Sequence, residues 1–236
     1  MPVLNLLARC LAAIALLAAT ACSTYLDQRA EAALREALAR VVGPAESYDV
    51  RVSGASLDGS RFERVRFVGR RTARANAPVI DRLELDLQGV VVDRSEKRLT
   101  AVAATRAELH LRGGDLAEYL RKSAWIADPS VVFSAPDRVA IAGAPRLGGI
   151  ALEIGTGAEF QGRLFASGSQ LRLAVDRVRI GSADAAPFLR AVIERAINPL
   201  VDVAAYPLPA RIDAVEAGDG ELRIAASGSR LPTTAP

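Results

Sequence analysis

Histidine is almost missing from this chain: His110 is the single one among 236 residues. A histidine-built metal site needs several such ligands, and so few cysteines do not replace them. A Ser-His-Asp triad would have to run through His110, and no Gly-x-Ser-x-Gly elbow accompanies it. Cysteine occurs only as Cys10 and Cys22. Aromatic residues make up 5% of the chain, too few for the stacking surfaces that bind sugars or single-stranded nucleic acid. Lysine is confined to Lys97 and Lys122, so positive charge is carried by arginine. The formal net charge is +3, close to balance and no argument for nucleic acid. Gly148-Gly149 and Gly155-x-Gly157 are not followed by a helix at phosphate-loop spacing, so no nucleotide cofactor is expected. Acids such as Glu84 and Asp86 alternate as on the polar face of a strand. The chain therefore reads as a non-enzyme without metal or cofactor.

The N-terminus reads as an address. Arg9 precedes the apolar run Leu11 to Ala19, the length of a secretory leader and too short to span a bilayer comfortably. Ala19-Thr20-Ala21-Cys22 then resembles a bacterial lipobox, which would make Cys22 the lipid anchor and residues 1–21 a lipoprotein signal peptide. An ordinary cleavage site with an incidental cysteine is the other reading. The lipobox reading places the protein in the bacterial envelope, on the periplasmic side, at the outer membrane. Cys10 would leave with the leader, so no internal disulfide is possible. About 215 residues remain, enough for one domain that stands on its own core. Residues 22–26 read as a tether, 27–228 as that domain, and 229–236 as a frayed tail.

The organising stretch is Asp184 to Ile224. Pro187 suits the first turn of a helix, and Ser182 or Asp184 could cap it. Leu189, Val192, Ile193, Ala196, Ile197 and Leu200 recur at helical spacing, and the spacing predicts a helix from Pro187 to about Ala204. Arg190, Glu194, Asn198 and Asp202 fall on its polar side. Tyr206-Pro207-Leu208-Pro209 stops it. Asp219-Gly220 between two alternating runs predicts a closing hairpin. A second helix, Asp27 to Val42, carries a stripe through Leu34 and Leu38 and ends at Gly43-Pro44. It either covers a sheet edge or lines a ligand groove.

Between the two helices the period is that of strands. Phe62 to Val68 sits in the most basic neighbourhood, which includes Arg64, Arg66, Arg70 and Arg71. Two roles fit: anionic headgroup contact at a membrane surface, or a charged face that protects an edge strand. Ile80 to Val92 alternates, and Leu99 to Leu111 reads as one strand far above the usual ~5–6 residues. Gly113-Gly114 breaks it, and Asp115-x-x-Glu118 opens a short helix that includes Trp125. Asp128-Pro129 ends that helix, and a second set of strands follows, with a hairpin at Pro136-Asp137. The fold expected is α+β: a long curved antiparallel sheet wrapped around two longer amphipathic helices. Small residues on the buried face leave room for a helix or an acyl chain.

This order of elements, and the segments Pro207-Leu208-Pro209-Ala210-Arg211-Ile212 and Ala217-Gly218-Asp219-Gly220-Glu221-Leu222-Arg223-Ile224, resemble the LmeA-like phospholipid-binding family of bacterial envelope proteins. The resemblance implies a TULIP-like half-barrel with an apolar groove for acyl chains, phospholipid or palmitate-like, and no catalytic motif. Leu38, Leu189, Val192, Ile193, Ala196, Ile197 and Leu200 would line that groove. The alternative is a lipid-free adaptor for envelope assembly, with the same fold and a filled core.

Overall fold

The structure, a computed structural model, describes residues 31–32, 34–56, 58–93, 95–96, 98–122, 126–147, 150–151, 157–205, 211–218 and 220–229. The expected leader, Cys22, the tether, Trp125 and the Tyr206–Pro209 turn lie outside them. Helix α1 is helical at 31–32 and 34–42. Its stripe is realised: Leu34, Ala37, Leu38 and Val42 are buried. Gly43 ends it at φ +104, a left-handed conformation that suits glycine, and its N–H donates to the Ala39 carbonyl at 2.9 Å.

Strands β1 (Ser47–Ala55), β2 (Arg61–Thr72), β3 (Ile80–Asp93), β4 (Arg98–Ala101) and β5 (Ala104–Arg112) follow, then helix α2 (Gly113–Arg121). The second set is β6 (Ile126–Ser134), β7 (Arg138–Leu147), β8 (Ile150–Ala151), β9 (Ala158–Ser167), β10 (Gln170–Ile180) and β11 (Ala183–Asp184). Helix α3 (Pro187–Ile197), β12 (Val201–Asp202), β13 (Arg211–Gly218) and β14 (Glu221–Ser229) complete the chain. The strands form two open sheets. One runs β1-β2-β3-β5-β14-β13, with β4 also on β3. The other runs β11-β10-β9-β7-β6, with β12 on β10 and β8 on β7. The described pairings are antiparallel.

The first sheet is bent along one row. Gly54, Glu63, Gly89 and Ala103 lie beside one another, as the flanking pairs Ser53–Arg64–Gln88–Ala104 and Ala55–Phe62–Val90 require. Gly54 and Gly89 have φ +65 and +58. A Cβ on Gly89 would sit 2.8 Å from the Ala103 Cβ. The buried parity reverses across this row: Val65, Phe67, Leu85 and Leu87 point inward on one side, Phe62, Val90 and Val102 on the other. Each strand contributes one residue to this row, so the register runs through it unshifted, unlike a β-bulge, where two residues oppose one. The expected continuous strand Leu99 to Leu111 is therefore two, and Ala103 leaves the buried face.

The sheets meet at β13. Its Ile212 N–H donates to Gly168 O at 2.9 Å and its Ala217 N–H to Pro136 O at 2.7 Å, both in hairpin turns of the second sheet. Side chains from both sheets and from α1 join one core.

Other expectations are corrected. The long C-terminal helix stops at Ile197, because Pro199 disfavours a helical residue before it and Asn198 is extended (φ −86, ψ 141). Two longer helices inside a curved sheet are not seen among the described residues: α3 has 11 residues, and of the helix expected from Asp27 to Val42 only 31–32 and 34–42 are described. Gly113-Gly114 does end the strand, and the two glycines also form the first turn of α2, where Gly113 lies against the Val131 carbonyl with no room for a Cβ. Asp115 makes no capping box, its carboxylate being held by Arg71 at 2.6 Å. Asp128-Pro129 ends no helix. It sits within edge strand β6, where the register shifts between Ala127 and Ser130.

Candidate functional site

Strand β10 is an edge that needs cover, since unpaired ladder groups invite another strand. Short strands pair with its two ends, β12 at Leu171 and β11 at Arg179 and Ile180. Between them α3 supplies side chains instead of backbone. Asn198 Oδ1 accepts from the Leu173 N–H at 2.7 Å, and its Nδ2 donates to the Leu173 carbonyl at 2.8 Å. One turn earlier, Glu194 Oε1 accepts from the Val175 N–H at 2.6 Å. The primary amide of asparagine carries a donor and an acceptor, so it replaces a missing strand residue. Glu194 and Asn198, expected on the solvent side of α3, thus face the sheet, while Arg190 is exposed. Asp184, an expected cap, does not cap: Arg177 binds it at 2.8 Å and holds its carboxyl below the usual range.

A groove of about 460 Å³ opens between α3 and the outer face of this sheet. Phe165, Arg172, Ala174, Ala191, Arg195 and the two capping residues line it. Substituting Asn198 with alanine should cost about 2 kcal/mol, because it strands a donor and an acceptor at a half-buried edge. Urea unfolding measures the loss, and hydrogen exchange at Leu173 should quicken; an unchanged midpoint would mean that water replaces the amide.

The expected groove residues separate. Leu38 and Leu200 are 0% and 1% exposed, inside the core. Ile193 and Ile197 are half-buried and pack against it. Ala196 is half-buried. Val192 is 45% exposed on the far side of α3. The side chain of Leu189 lies outside the described residues.

The arginines mostly have partners. Arg64 is bidentate to Asp86, which lowers the carboxyl's pKa and raises that of the guanidinium. Arg66 meets Glu84 at 3.0 Å. Arg71, turned off the strand parity by φ +52, crosses to Asp115 of α2. Among the described residues Arg70 enters no ion pair. It shares a depression of about 400 Å³ with Arg51, Arg66 and Arg82. The Arg64–Asp86 and Arg66–Glu84 pairs run diagonally across the ladder, since Arg64 lies opposite Gln88 and Arg66 opposite Asp86, whereas Arg70 lies opposite Arg82. His110 bridges carboxylates, with Nδ1 2.6 Å from Glu221 and Nε2 2.9 Å from Glu108. Arg223 holds the same Glu108 and keeps its pKa low.

The model of the family described as LmeA-like phospholipid-binding matches residues 17–227. The chain belongs to the LmeA-like phospholipid-binding family. The match spans both sheets and all the helices described above, so the family's lipid-binding character applies to the whole fold rather than to a fragment. No curated protein and no solved structure matches the chain significantly. The groove beside α3 sets Phe165 and Ala191 next to Arg172 and Arg195, and the depression on the first sheet gathers Arg51, Arg66, Arg70 and Arg82. Sequence reasoning missed Asn198 and Glu194. The Asn198-Pro199 pair was the signal available, since it marks a helix end.

Proposed function

We propose that this protein is a membrane-anchored envelope lipoprotein that binds phospholipid, or another acyl lipid, in an apolar groove and shields or passes on its chains. Membership of the phospholipid-binding family over residues 17–227 is the observation that carries this reading. Cys22 is the anchor, each buried methylene of its acyl chains contributing ~0.8 kcal/mol. The protein sits on the periplasmic side of the envelope, at the outer membrane. Ile193, Ala196 and Ile197, half-buried on α3, contact the acyl chains, and burial of apolar area drives binding. Arg70, which enters no ion pair among the described residues, holds the phosphate of the bound lipid, while Arg64, Arg66 and Arg71 are tied to carboxylates.

A second reading, a lipid-free assembly adaptor, is favoured by the full burial of Leu38 and Leu200, since close-packed neighbours leave no vacancy beside them. Native mass spectrometry of the Cys22→Ser chain, purified from a bacterial envelope, separates the two. Bound phospholipid in the spectrum, and release of this variant from membranes, are expected. A bare chain that also takes up no added phospholipid would leave the adaptor.

A further inference from the structure

Large apolar side chains stand exposed among the described residues at Val132, Phe165, Phe188 and Val192, by 60%, 43%, 67% and 45%. None of these is on the first sheet. Val132 and Phe165 leave the outer face of the second: Phe165 lies opposite Arg172, and Val132 opposite Ala140, while the neighbouring Phe133 and Leu164 point into the core. On α3, Phe188, Ala191, Val192 and Arg195 follow at i, i+3, i+4 and i+7, and all are exposed. Ala191 and Arg195 share the groove with Phe165 and Arg172. The result is one surface, an apolar centre of Phe165, Ala191, Val192 and Phe188 with Arg172 and Arg195 beside it.

Arg172 and Arg195 enter no ion pair among the described residues. Of the neighbouring acids, Asp176 is paired with Arg138 and Arg163, while Glu194 and Asp202 accept from neutral donors and keep their charge; the two arginines outnumber Glu194, the one carboxylate among the described residues that line the groove. On the outer face of the first sheet Arg64, Arg66, Arg82 and Arg223 are each tied to a carboxylate, and the unpaired Arg70 has no large exposed apolar side chain beside it among the described residues.

We propose that this face of α3 and the second sheet docks on anionic phospholipid bilayers. Exposed aromatic and aliphatic groups beside arginines match the boundary between acyl chains and phosphates, where a short amphipathic helix lies flat. At 11 residues α3 cannot cross, and no described helix is long and apolar enough to do so. The guanidinium fork suits phosphate oxygens, and each arginine near an anionic surface is attracted to it. A protein partner would more often meet such a patch with carboxylates, and it is an outcome of the test. Docking stands apart from the cargo reading, because a chain that carries no lipid can still dock.

A solvatochromic label at position 192 tests this, in the full chain carrying Cys10→Ser, Cys22→Ser and Val192→Cys. Phosphatidylcholine vesicles containing phosphatidylglycerol should shift its emission to the blue. The same label at Ser53→Cys, on the outer face of the first sheet, should not respond. Arg172→Glu with Arg195→Glu should raise the vesicle concentration for half-maximal shift about tenfold or more. An unshifted label at 192, an equal shift at 53, or a shift indifferent to the charge reversals would overturn the proposal. So would burial of position 192 by another protein with vesicles absent. Bound lipid in the native mass spectrum is a separate readout, so either reading can fail alone.

Discussion

Alanine at position 113 is expected to destabilise the protein by about 3 kcal/mol, while alanine at position 114 stabilises it by roughly 0.5 kcal/mol. The two glycines are neighbours in the first turn of α2. A Cβ at Gly113 would overlap the Val131 carbonyl oxygen and lie 3.3 Å from its carbon. That carbonyl is backbone of β6 and cannot swing aside, so helix or strand must shift. A Cβ at Gly114 meets nothing within 4 Å. There the methyl only reduces the freedom of the unfolded chain. Chemical denaturation of the two single variants measures both signs. Equal midpoints would show that α2 is not seated on β6.

Leu38→Ala is expected to cost about 3 kcal/mol, the range for a leucine emptied from a tight core. Leu38 is 0% exposed, with Leu34 and Val42 at 1% on the adjacent turns. The loss should be the same with and without added phospholipid, if protein atoms alone surround the side chain. A cost below about 1 kcal/mol would mean that the site collapses. A cost that shrinks on adding phospholipid would mean that guest hydrocarbon fills the gap. The same titration thus reads stability and cargo at one residue.

Local chemistry made many elements legible. Leu34 and Leu38 at helical spacing, Gly43 after Val42, the alternation of Leu83, Leu85 and Leu87, and Gly220 in the closing hairpin all appear in the structure as read. Misreadings fell where a long-range contact overrides a local pattern. Alternation from Leu99 to Leu111 persists across Ala103, yet the bend row crosses there because Gly89 on a neighbouring strand takes a positive φ. Asp115 has the spacing of a capping box, but Arg71 reaches it from 44 residues away. Arg64, Arg66, Arg70 and Arg71 look alike in the sequence. Register gives the first two cross-strand acids, a left-handed turn sends Arg71 to α2, and Arg70 lies opposite another arginine.

By itself the sequence determined the class of protein. Scarce histidine, cysteine and aromatics leave little chemistry, alternating runs make sheet, and the closing segments resemble a phospholipid-binding family. The tertiary structure alone decided which face of α3 is free. Helical periodicity records only the angle between side chains, not the direction of the neighbouring strand. Once the β10 edge needed donors and acceptors, Glu194 and Asn198 turned inward to supply them. Rotation of the helix to do so left Phe188 and Val192 facing water.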